Sequence, residues 1–160
     1  FISTVIHNPD LLILDEPFSG LDPINTNLIR EEIDNLNKNG TTILFSTHRM
    51  EQVEQICENI VLINKGKNVL EGAVDQIKND FKEHIYKIDF NGTLPENFEE
   101  HVTLVEAQTN SIKVQLIDVA HANKFLNYLL SNGTFITGFN EILPTLNEIF
   151  IKIVGGVSDE

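Results

Sequence analysis

Leu11-Leu12-Ile13-Leu14-Asp15-Glu16-Pro17 is the stretch on which the fold turns. Four consecutive apolar residues closed by two carboxylates and a proline read as a short strand apolar on both sides. Such a strand belongs in a parallel sheet whose two faces are covered by helices. Upstream, Phe1-Ile2-Ser3-Thr4-Val5-Ile6-His7 reads as a helix already under way, with no N-cap signal before it, and Asn8-Pro9 ends it. The expectation is a chain cut inside a larger domain. Downstream, Asp22-Pro23 supplies an N-cap with Pro at the first helical position, Ile29, Ile33 and Leu36 repeat at helical spacing, and Gly40 supplies the stop. Thr41 to Phe45 is a second buried strand, Met50 to Ile56 a helix with Val53 and Ile56 inward, and Ile60 to Ile63 a third apolar strand. A turn over Asn64-Lys65-Gly66-Lys67 leads to a return strand, Asn68 to Leu70. Strand, helix, strand, helix, strand at this spacing is the doubly wound α/β pattern.

After about Asp80 the pattern changes. His84 to Phe90, Val102 to Ala107 and Ile112 to Ile117 alternate partly or cleanly, as half-exposed antiparallel strands do, with a hairpin turn at Asn110-Ser111. Asp118 can cap a helix striped by Ala122, Phe125, Leu126 and Leu129 and ended by Gly133. A last strand covers Phe135 to Phe139, and Thr145-x-x-Glu148 is a capping box opening a final helix with Leu146, Ile149, Phe150 and Ile153 on one side. The organisation read from the sequence is therefore an α/β parallel sheet with flanking helices over 1–80 and a small α+β domain over 81–160.

Composition narrows the function. A hydrophobic fraction of 41% predicts a packed core. The formal charge of −13 is spread along the chain with no basic block, which argues against a nucleic-acid or anionic-lipid surface. Cys57 is the single cysteine, so a disulfide scaffold within the chain is excluded and a cytosolic setting suits it. No apolar run approaches the roughly 20 residues that span a bilayer. A protein of this kind acting at a membrane needs another chain to cross it.

The chemistry centres on the first strand. Asp15 and Glu16 sit at its carboxyl end, where open α/β sheets bind ligands. Asp15 suits Mg²⁺ held largely through water, since that ion takes one or two carboxylates plus phosphate oxygens, and Glu16 can orient or deprotonate an attacking water. A solvated acidic turn accounts for the same two residues. Ser19-Gly20-Leu21-Asp22 follows as a tight loop, and His48 lies just past the next strand, within Ser46-Thr47-His48. Neighbouring parallel strands end side by side, which would bring Asp15, Glu16 and His48 to one edge. His84, His101 and His121 lack companions at metal-ligand spacing and read as surface histidines.

Taken together, these segments resemble the ABC ATPases. Leu11 to Pro17 looks like their Walker B motif, with Asn8-Pro9-Asp10 like the join before it, Ser19 to Asp22 like the D-loop, and Ser46-Thr47-His48 like the switch-histidine segment. The resemblance covers roughly residues 1–80. It implies that Asp15 supports Mg²⁺, Glu16 polarises the hydrolytic water and His48 contacts the γ-phosphate. It also implies that Ser19 and Asp22, with their loop, act on ATP across a nucleotide-sandwich dimer of two ATP-binding subunits. Residues 81–160, closing on Pro144-Thr145-Leu146-Asn147-Glu148-Ile149-Phe150, resemble the C-terminal extension of ATP-binding subunits of bacterial ABC-2-type exporters. The family's usual role makes the parent a cytoplasmic ATPase, peripheral on the inner face of the membrane, that powers a separate permease. A soluble, non-transport ABC ATPase is the alternative, and residues 81–160 read equally as a regulatory or partner-binding module. No G-x-x-x-x-G-K-[ST], LSGGQ-like signature or Q-loop occurs in the 160 residues. Phosphoryl transfer depends on the charge neutralisation that such a loop supplies, so these residues alone are expected neither to bind nor to hydrolyse ATP appreciably.

Overall fold

In the computed structural model, which describes residues 1–155, the chain divides into two units, Phe1–Val74 and Asp75–Glu160. The last five residues of the 81–160 segment lie outside the described residues. The protein is a mixed α/β chain of small sheets and helices. Among the described residues no helix is long and apolar enough to cross a membrane.

The first unit begins with a single helical turn, α1 (Ile2–Val5), followed by β1 (Leu11–Asp15), α2 (Pro23–Lys38), β2 (Thr42–Ser46), α3 (Met50–Ile56), β3 (Asn59–Asn64) and β4 (Lys67–Ala73). Asp22 caps α2, its Oδ1 accepting the N–H groups of Ile24 and Asn25 at 2.9 Å each. The helix closes on Gly40 at φ 99°, with Gly40 N–H bonded to Asn37 O and Thr41 N–H to Leu36 O. This six-to-one and five-to-two pairing needs a left-handed residue, which only glycine takes without steric cost. β1 and β2 pair in parallel, Asp15 opposite Ser46. Leu12, Ile33 and Phe18 are buried, and the Phe18 ring meets Phe45 edge-on with centroids 6.0 Å apart.

Two expectations change here. Leu11, Ile13 and Leu44 share one face of the β1–β2 pair and are exposed, so among the described residues helices do not cover both sides of it. The continuous apolar run therefore behaves as an alternating strand, with Leu12 inward and Leu11 and Ile13 outward. Next, β3 pairs with β4 in its own antiparallel two-stranded sheet and does not extend β1–β2. The β3–β4 pairing follows from its turn: Lys65 and Gly66 both take positive φ (48° and 75°), the two-residue hairpin geometry whose twist matches that of paired strands.

The second unit contains most of α4 (Val74–Asp80), then β5 (Ile85–Asn91), a 3₁₀ turn at Phe98–His101, β6 (Thr103–Gln108), β7 (Ser111–Gln115), α5 (Val119–Ser131), β8 (Phe135–Ile142) and α6 (Leu146–Gly155). Its antiparallel sheet has the order β6-β7-β5-β8. Alternation puts Tyr86, Ile88 and Phe90 on one face with Ile112, Val114 and Leu116, and Ala122, Phe125 and Leu129 of α5 pack against them. Lys87 with Asp89 (3.0 Å) and Lys113 with Glu106 (2.5 Å) pair among the alternate residues of these strands. Asp118 caps α5 through His121 N–H (2.6 Å), and Gly133 ends it by the pairing seen at Gly40. The capping box of α6 is formed in both directions: Glu148 Oε2 accepts Thr145 N–H at 2.7 Å, and Thr145 Oγ1 accepts Glu148 N–H at 3.2 Å.

Candidate functional site

The parallel ladder of β1 and β2 runs one residue past the strand, with Glu16 N–H donating to Ser46 O at 2.9 Å. There the chain turns sharply. Glu16 takes φ 44°, a left-handed conformation that costs a non-glycine residue about 1–2 kcal/mol, so the surroundings must hold it. They do so by two means: Ser19 N–H bonds to Glu16 O at 3.0 Å, and Phe18, two residues on, is fully buried. The turn is pinned by a core aromatic and directs the Glu16 side chain toward the residues that follow β2.

Three donors meet that carboxylate. Glu16 Oε1 lies 3.0 Å from His48 N–H and 2.6 Å from His48 Nδ1, while Oε2 accepts from the Thr47 hydroxyl at 3.0 Å. The His48 side-chain bond, with the His48 amide and Thr47, holds the Glu16 carboxyl below the usual carboxylate range against an opposing desolvation. A carboxylate accepts only, so Nδ1 carries the proton in this pair and Nε2 of a neutral ring is left as an acceptor. His48 is 78% exposed and Glu16 32%, so the pair opens to solvent.

Asp15, also exposed, accepts the Ser46 hydroxyl on Oδ1. Asp15, Glu16 and His48 thus lie at the ends of two adjacent strands. Ser19 contributes the turn bond and is exposed. Asp22 is engaged elsewhere, with Oδ1 capping α2 and Oδ2 accepting Asn25 Nδ2 at 2.6 Å. Those bonds, the Asn25 amide foremost, hold its carboxyl below the ordinary range. Ser46 and Thr47, quoted in the sequence only as the segment leading to His48, provide the hydroxyls that meet the two carboxylates. A signal for them exists in retrospect: two hydroxyl residues end a strand whose parallel neighbour ends in two acids.

The donor set tests whether a divalent cation fits. Among the described residues no three His, Cys, Asp or Glu side chains cluster as a protein cage for a metal. One exposed carboxylate suits Mg²⁺ bound mainly by water and phosphate oxygens, and does not suit a tightly chelated ion. Three of the other four histidines have structural partners: His84 Nδ1 with Glu141 (3.1 Å), the His101 ring with Tyr128 (4.4 Å), and His121 Nδ1 with Ile117 N–H (3.3 Å). Burial raises the Cys57 thiol above its usual range, away from nucleophile chemistry.

Residues 72–154 match the family described as ATP-binding protein DrrA1-3-like, C-terminal domain. Residues 1–53 match one described as AAA domain, putative AbiEii toxin, Type IV TA system. Uncharacterized ABC transporter ATP-binding protein YhaQ of Bacillus subtilis (strain 168) is 40% identical over 98% of the chain and 53% of its own length. The bacitracin transport ATP-binding protein BcrA of Enterococcus faecalis is 31% identical over 96% of the chain and 51% of its own length. The linearmycin resistance ATP-binding protein LnrL of Bacillus subtilis (strain 168) is 29% identical over 96% of the chain and 52% of its own length. The chain spans about half the length of these curated relatives. A solved ATP binding subunit of an ABC transporter superposes on 46% of the chain and 31% of its own, with a TM-score of 0.44 and 35% identity.

Proposed function

Since the chain belongs to the ABC transporter ATP-binding proteins and carries a DrrA1-3-like C-terminal domain, we propose that it forms the water-activating side of an ATP-hydrolysing subunit. The observation that carries this reading is the Glu16–His48 pair, 2.6 Å apart at the ends of two parallel strands, with Asp15 beside it. Mg²⁺, when bound with nucleotide, neutralises phosphate charge. Asp15 would hold it, through its waters and its exposed carboxylate. Glu16, ionised and held at both oxygens, accepts the proton of the attacking water. His48 swings its exposed ring away from Glu16 toward the γ-phosphate, where a proton on Nε2 lets it donate to a phosphate oxygen. Ser19 and Asp22 belong to a loop that meets a second ATP-binding subunit, and Asp22 reaches that partner as the N-terminal cap of α2.

The parent sheet is of the P-loop type. In it, residues 1–80 form the C-terminal part of the ATPase domain, and residues 81–160 form a regulatory or partner-binding module. The parent works on the cytoplasmic face of a membrane, coupled to a separate permease. Names given to relatives, bacitracin transport and linearmycin resistance, favour transport over a role in translation or repair. The 160 residues by themselves, without a G-x-x-x-x-G-K-[ST] loop, do not turn over ATP.

The test is Glu16→Gln in the full-length subunit. Replacing a base by an isosteric amide lowers kcat by roughly 10²–10⁴-fold, the usual contribution of general-base catalysis, while Mg-ATP binding persists. Wild-type turnover in that variant would remove Glu16 from the chemistry.

A further inference from the structure

Two consecutive hydroxyls face two consecutive carboxylates across the β1–β2 ladder. Ser46, opposite Asp15 in the register, donates its hydroxyl to Asp15 Oδ1 while its carbonyl receives Glu16 N–H. One residue on, the Thr47 hydroxyl donates to Glu16 Oε2 at 3.0 Å and accepts Arg49 N–H at 3.2 Å. Behind it stands Gln52 of α3, a buried polar side chain whose Oε1 is 3.4 Å from the same hydroxyl.

A hydroxyl has one proton to give. Glu16 Oε2 at 3.0 Å takes it in preference to Gln52 Oε1 at 3.4 Å, because a charged acceptor makes the stronger bond. The Arg49 N–H on the oxygen's lone-pair side fixes the rotor. With Thr47 on Oε2 and the His48 amide on Oε1, the carboxylate plane is set by two donors on opposite oxygens. Neither donor is the His48 ring. The ring can therefore leave for a ligand without releasing Glu16.

We propose that Thr47, its hydroxyl fixed by the Arg49 N–H, is a positioning residue that keeps the Glu16 carboxylate oriented when the His48 ring turns away, with Ser46 doing the same for Asp15. This deepens the reading of Glu16 as the water-activating group and rests on it.

The experiment compares Thr47→Val, which keeps the shape and loses the hydroxyl, with Thr47→Ser, which keeps the hydroxyl, both in the full-length subunit. Loss of orientation without loss of a nucleotide contact appears as a fall in kcat of about tenfold with KM for Mg-ATP essentially unchanged. Thr47→Ser restores most of kcat. The second readout needs no turnover: the His48 amide resonance, whose N–H is bonded to Glu16, shifts and exchanges faster in Thr47→Val and not in Thr47→Ser. Parental kcat together with an unmoved His48 amide in Thr47→Val overturns the proposal, as does a raised KM at constant kcat. Should Glu16→Gln leave turnover intact, the catalytic reading fails, while the His48 amide still decides whether Thr47 holds Glu16. If Thr47→Val does not fold, Thr47→Ala gives the same two readouts.

Discussion

Leu129 and Leu130 are consecutive residues of α5, one wholly buried (0% exposed) and one 50% exposed, and they offer a contrast internal to one helix. Leu129→Ala deletes three carbons from the centre of the cluster formed with Ile88, Val114 and Phe125. At about 0.8 kcal/mol per buried carbon the transfer loss is roughly 2.4 kcal/mol, and incomplete collapse of the cavity brings the total to about 3–4 kcal/mol. Leu130→Ala loses the same atoms from a half-solvated site and should cost under about 1 kcal/mol. Helix propensity favours Ala slightly at both positions, so it cancels in the comparison. The readout is unusually clean. The chain has two tyrosines and no tryptophan, and both Tyr86 and Tyr128 belong to the second unit. Within these 160 residues, tyrosine emission followed through a urea titration therefore reports this unit alone. With a slope of about 1–2 kcal/mol per M, Leu129→Ala should lower the midpoint by about 2 M and Leu130→Ala by well under 1 M, at unchanged slope. Equal shifts for the two variants would refute the assignment of the α5 face to the core.

Other expectations concern pH and the turn at Glu16. Hydrogen bonds from Thr145, the backbone N–H foremost, hold the Glu148 carboxyl below its ordinary value of 4.5. Its stabilisation of α6 is therefore complete above that value and is lost as pH falls through the lower folded value. The tyrosine-monitored urea midpoint should drop on acidification below pH 4.5 and drop less steeply in Glu148→Gln; identical acid profiles would contradict this linkage. Phe18→Ala should destabilise the first unit of the full-length subunit by about 3–5 kcal/mol and lower kcat as well, because the same ring pins the turn that directs Glu16. A thermal unfolding scan and a turnover assay on one preparation check both, and a variant that loses stability yet keeps kcat would uncouple Phe18 from the site.

The local features of this protein were legible because each is settled within three to six residues. Asp22-Pro23, Asp118 and the Thr145–Glu148 box form their caps at short separations, and Gly40 and Gly133 end α2 and α5 at the positions read from the sequence. α4 carries no readable period, since Val74 and Ile77 are its only buried apolar residues. β8 runs to Ile142 and not to Phe139 because its pairing with β5 continues past the alternating stretch.

At the site, the sequence by itself determined which residue types end the two strands: an acidic pair after one, a histidine after the next. It could not determine the contacts between them. Thr47 and Glu16 are 31 residues apart, and their bond depends on the parallel register that sets Asp15 against Ser46. A slip of one residue in that register would turn every side chain of β2 to the other face. Only the tertiary structure decides the register, because it is selected by the packing of Leu12, Phe18, Ile33 and Phe45 together. The same holds for the open face of Leu11, Ile13 and Leu44. An apolar run specifies that burial is favourable, while which side is covered depends on what else the chain places there.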